Sequence, residues 1–170
     1  MSDAATMTDT RDIVLDEVLP HGREVVWKTL TKAELIGRWL MMPTGFEPTK
    51  GKHFTFQTTP AGEWDGVIHC EVLEVTPNER LVYAWTGGHD SNATKYGSRL
   101  ETVVTWTLTA VDGGTRLRLV HSGFRTPKND LAFNRMSDGW PQVFQRIETV
   151  AGEQKSTEAV RASTGGRRNA

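Results

Sequence analysis

The sequence predicts an α+β domain in which a curved antiparallel sheet grips a long C-terminal helix. Three observations predict it. One strand-like segment is followed by two short helices, then by a run of strands with short connections, and short connections imply antiparallel neighbours. A last segment repeats Trp140, Val143, Phe144, Ile147, Val150 and Ala151 at helical spacing, a broad apolar face that must lie on the sheet. Six tryptophans in 170 residues, several on alternating strands, exceed what a small closed core needs. A sheet closing on a helix with a cavity between them would use such rings.

Asp12 to Leu19 reads as the first strand, and Pro20-His-Gly22 starts a helix with Val26, Trp27 and Leu30 on one face. Thr31-Lys-Ala-Glu34 fits a capping box with Leu30 and Leu35 as its hydrophobic staple, which predicts a second helix from Thr31 to Trp39. Turn residues then separate strands at His53–Phe56, Trp64–Val75 and Arg80–Thr86, with a polar loop at Gly87–Gly97. Leu100–Ala110 and Thr115–Phe124 form a hairpin around Asp112-Gly-Gly114. Ser137 or Asp138 is the expected N-cap of the last helix, with Pro141 in its first turn. Residues 1–10 are expected to be frayed and 153–170 a disordered tail, leaving one domain at 11–152.

Composition narrows the function classes. A net charge of −1 does not favour nucleic acid. The single cysteine, Cys70, allows no intrachain disulfide and sits in a strand where a buried inert thiol is expected. No apolar run is long enough for a membrane span, and the N-terminus lacks the features of a secretory signal, so a cytoplasmic protein is expected. No phosphate-binding glycine motif is present, so no nucleotide cofactor is expected. His21, His53, His69, His89 and His121 are scattered without metal-ligand spacing, so no metal is expected.

Several stretches together resemble one family. They are Val25-Val-Trp-Lys-Thr-Leu-Thr31, Ile36-Gly-Arg-Trp-Leu40, Gly51-Lys-His-Phe-Thr-Phe56, Glu71-Val-Leu-Glu-Val-Thr-Pro77 and Arg80-Leu-Val-Tyr-Ala-Trp85, followed by Val104-Thr-Trp-Thr-Leu108, Gly113-Gly-Thr-Arg-Leu117, His121-Ser-Gly-Phe124 and Gly139-Trp140. In this order, over roughly residues 11–152, the chain resembles the Hsp90-ATPase-activator-like family of the START-like superfamily. The resemblance implies a helix-grip fold. It also implies a hydrophobic small molecule held between sheet and helix, with a cyclase, aromatase or hydrolase activity as an alternative. An Hsp90-type chaperone partner comes with the family's name, but that action depends heavily on a separate N-terminal domain for which this chain has no room.

Candidate residues follow from strand faces. His121 shares a face with Leu117 and Leu119, which places an imidazole at the cavity wall or makes it a hydrogen-bonded structural residue. His69 and Glu71 alternate with Val67, Leu73 and Val75. In one register they form an interior acid–base pair; in the other, Ile68, Cys70 and Val72 face inward and the pair is solvated. Phe56, Trp106, Leu108, Leu119, Phe124, Trp140, Phe144 and Ile147, with His121, are the expected pocket lining, unless the aromatics are simply core. An edge strand around Phe54 could pair two copies into a homodimer.

Overall fold

The computed structural model describes residues 9–169, with side chains described through Gln154. The elements in order are β1 (Thr10–Leu19), α1 (Arg23–Thr31), α2 (Ala33–Trp39), β2 (His53–Gln57), β3 (Val67–Thr76), β4 (Arg80–Gly87), β5 (Leu100–Val111), β6 (Gly114–Arg125) and α3 (Asp130–Asn169). Thr10 already pairs with Arg125 in the sheet, and Glu153 and Gln154 continue α3. The rest of the two predicted disordered termini, residues 1–8 and the side chains beyond Gln154, lies outside the described residues.

The six strands form one antiparallel sheet in the order β1-β6-β5-β4-β3-β2. Strand alternation decides the inner face. Val104, Trp106 and Leu108 on β5 and Leu117, Leu119 and His121 on β6 are all buried. Against them lies the predicted face of α3: Trp140, Val143, Phe144, Ile147, Val150 and Ala151 are each buried. This is the helix-grip arrangement.

Two helix boundaries differ from the sequence expectation. Thr31 does not cap α2. Its hydroxyl donates to the Trp27 carbonyl one turn back, so Thr31 finishes α1, and Lys32 occupies the N-cap of α2 without a side-chain bond. Trp39 joins the two helices instead, donating its indole N–H to the Thr29 carbonyl at 2.8 Å. α3 begins at Asp130 and not at Ser137 or Asp138, so Pro141 lies in the helix interior. Asn129, buried to 1% exposure, stabilises the earlier start. Its side-chain carbonyl accepts from the Arg125 N–H, and its amide donates to Ser98 Oγ and the Arg99 carbonyl.

The β2 edge proposed for self-pairing is partly used within the chain. Thr55 exchanges both backbone hydrogen bonds with Thr44, at 2.9 and 3.0 Å.

Candidate functional site

The centre of the sheet–helix interface is filled by rings. Trp106 is fully buried and donates its indole N–H to the Tyr83 hydroxyl at 3.0 Å. Its ring meets the edges of Trp39 and Trp140, each with a centroid distance of 5.7 Å, and tilts against Phe144 at 5.8 Å. Phe56 packs on Trp85, and Phe124 packs on His121 and Phe133. Edge-to-face pairs at these distances are favourable packing and leave no room for a guest. The structure therefore places Phe56, Trp106, Leu108, Leu119, Phe124, Phe144 and Ile147 in the packed core, away from the cavity wall. Of the expected lining, Trp140 alone reaches the cavity.

The cavity lies toward one end of the interface and has a volume of about 260 Å³. Trp85 from β4, Ile68 from β3 and Trp140 and Val143 from α3 are buried wall residues. Trp64, before β3, and Leu40 and Met41, after α2, close one side. Tyr96, Gly97 and Ser98 supply the loop wall, and Ala132, Arg135, Met136 and Gly139 extend the helix wall. Trp64 is fixed by its indole N–H donating to the Val67 carbonyl and by Tyr96, 6.0 Å away between ring centroids.

The loop wall is held at both ends by amides. Asn92 donates to the carbonyls of Ala61 and Gly97, and Asn129 ties Ser98 and Arg99 to the start of α3. Gly88 enters the loop with φ +85°, where a Cβ would stand 2.1 Å from the Ser98 carbonyl oxygen. Only glycine satisfies both conditions.

His121 sits behind this wall and does not line the cavity. Trp140 donates its indole N–H to Nδ1 at 3.2 Å. The proton must then reside on Nε2, which donates to Thr102 Oγ1 at 2.8 Å, and the Thr102 hydroxyl donates to the Trp85 carbonyl at 2.7 Å. The Trp140 indole N–H, both nitrogens of His121 and the Thr102 hydroxyl are thereby satisfied. Burial holds the imidazole pKa down to about 3, so the ring is neutral at physiological pH. His121 is a structural residue that locks two cavity tryptophans in place. Burial likewise pushes the Cys70 thiol up, consistent with an inert strand cysteine.

His69 and Glu71 adopt the solvated register. Ile68, Cys70 and Val72 face inward, and Glu71 lies across from His53 at 4.0 Å on the outer face. Leu73 follows His69 and Glu71 on the outer face and is exposed, and a bulge between Val72 and Glu74 then ends the regular alternation. The interior acid–base pair is therefore not formed. Among the described residues, no group of three His, Cys, Asp or Glu side chains is placed to hold a metal. No helix among the described residues is long and apolar enough to cross a membrane.

Residues 20–152 match the family described as Activator of Hsp90 ATPase homolog 1-like protein. The chain belongs to this family. Protein MLL2253 of Mesorhizobium loti is 38% identical, with a TM-score of 0.73 over 84% of this chain and 98% of that one. Protein BH1534 of Bacillus halodurans is 21% identical, with a TM-score of 0.66 over 85% of this chain and 99% of that one. CalU16 of Micromonospora echinospora is 20% identical, with a TM-score of 0.64 over 92% and 83%. The last two likenesses concern the fold alone. No curated protein matches the chain.

The lining expected from sequence does not include Trp64, Trp85, Tyr96, Arg135, Met136 or Gly139. A signal for the helix wall was present: Ala132, Met136, Gly139 and Val143 are spaced by four, three and four residues. Starting the helix at Ser137 cut that stripe in two.

Proposed function

We propose that this chain binds a small hydrophobic molecule in the cavity walled by Trp64, Trp85 and Trp140. The observation that carries this reading is the wall itself: three indoles and aliphatic side chains line about 260 Å³ beside the close-packed centre of the sheet–helix interface. An apolar cavity of roughly 150 Å³ accepts benzene, so this one fits a bicyclic body or a chain of about ten carbons. A family member with a cavity between sheet and helix is the setting in which such a guest is expected.

Binding is favoured over turnover because the groups offered for proton transfer lie elsewhere. His69 and Glu71 face outward, and His121 is enclosed and neutral. Chaperone stimulation, the activity in the family's description, is not needed by this reading.

Gly139 supplies the test. A Cβ there meets nothing within 4 Å, so Gly139→Leu extends a side chain into the cavity without a backbone clash and replaces a poor helix former. The protein is purified, its mass measured intact under native conditions, and any small molecule extracted after denaturation. A hydrophobic molecule retained by the parent chain and absent from a folded Gly139→Leu variant is the expected result. Equal retention by both places the guest outside this cavity and overturns the proposal.

A further inference from the structure

We infer that the cavity's guest is an amphipathic anion whose acidic head group meets Arg135. This deepens the cavity reading and rests on it. Arg135 is the only charged side chain among the described residues lining the cavity. It stands on α3 one turn before Gly139, which places the cation at the rim while the indoles form the interior.

Two features together suit Arg135 to meet an anion at this position. Its guanidinium carbon lies 5.0 Å from the centre of the Tyr96 ring, and Tyr96 packs in turn on Trp64. The aromatic face orients the planar cation without using its N–H donors. Among the described residues, Arg11, Arg38, Arg80, Arg99, Arg116, Arg118 and Arg125 each pair with a carboxylate, whereas Arg135, like Arg23 and Arg146, does not, and of these three only Arg135 lines the cavity. Its fork of donors is thus available to a bidentate oxyanion at the mouth of an apolar pocket.

Ser98 adds a second donor on the same wall. It is buried, and its Oγ accepts the Asn129 amide at 3.1 Å, which leaves its O–H to donate. Both polar groups thus call for an acceptor, and the rest of the lining calls for hydrocarbon. A ligand with a bicyclic or medium-chain body and a carboxylate answers both.

The test uses two matched pairs of probes, 2-naphthoate with 2-naphthamide and decanoate with decanamide. Affinities are measured by calorimetry for the parent chain and for Arg135→Gln. The expected result is that an acid binds the parent chain at least tenfold more tightly than its amide. In Arg135→Gln that preference falls to near unity while the amide's affinity is unchanged, which shows the cavity intact. Equal binding of acid and amide by the parent chain, or a preference that survives in Arg135→Gln, overturns the head-group assignment and leaves the cavity reading standing. Binding of none of the four overturns both.

Discussion

His121 shows how one residue's environment decides its role. Removing it from water between Phe124, Trp85 and Trp140 disfavours the charged form, and the hydrogen bonds to Trp140 and Thr102 suit the neutral ring. The unfolded chain binds a proton near pH 6.5, whereas the folded protein resists it down to about pH 3. The unfolded state therefore takes up more protons in that window, and stability falls as pH falls through it. The contribution is complete above pH 6.5 and lost by about pH 3. His121→Gln should cost about 1–3 kcal/mol at pH 7 from the altered buried hydrogen bonds. It should lose less on acidification than the parent chain, so the gap narrows by about 2 kcal/mol between pH 7 and pH 5. Urea unfolding at the two pH values checks this; a constant gap would show that His121 is not the group that resists protonation. Trp106→Ala, at the centre of the ring cluster, should lower stability by about 3–5 kcal/mol, read from the same unfolding curves.

At the scale of elements, strands were read more accurately than helix ends. Period-two alternation was legible because each strand has one buried face, and β4 to β6 follow the sequence expectation within a residue or two. The β3 register stayed open because its outward side carries Leu73 as well as His69 and Glu71, so both faces of the segment contain apolar residues. The helix starts were read from local capping chemistry, which a bond within the preceding helix overrode in one case and tertiary bonds in the other. Thr31 spends its hydroxyl inside α1, and Asn129 fixes the start of α3 through partners about 30 residues away in the chain. Asn129→Ala should therefore cost about 2–3 kcal/mol, with three hydrogen bonds lost in a buried site. It should also accelerate hydrogen exchange at the His89 amide, which bonds Gly97 across the same loop. Unchanged exchange there would show that the loop is held without Asn129. Pro141 cannot donate to the Ser137 carbonyl one turn back, so Pro141→Ala should raise the midpoint of thermal unfolding if α3 runs straight through this position.

For the molecule as a whole, the sequence announced an aromatic interior but not its distribution. Six tryptophans suggested a cavity between sheet and helix, with Trp106 and Trp140 among its lining, unless the aromatics were simply core. Instead Trp39 and Trp106 fill the centre, while Trp64, Trp85 and Trp140 surround a space toward one end, where loop and helix residues complete the wall. That division depends on the position of the 88–98 loop, which is set by long-range amide bonds with no periodic signature in sequence. The result is a domain whose middle is packed with rings and whose one end holds space.

The most direct test of this account is the indole N–H spectrum of the ¹⁵N-labelled protein during titration with 2-naphthoate. The resonances of Trp64, Trp85 and Trp140 should move together and saturate, while that of Trp39, bonded to the Thr29 carbonyl in the packed centre, stays in place. Saturable movement of Trp39 with the three wall indoles unmoved would place the guest in the packed interface and contradict the account.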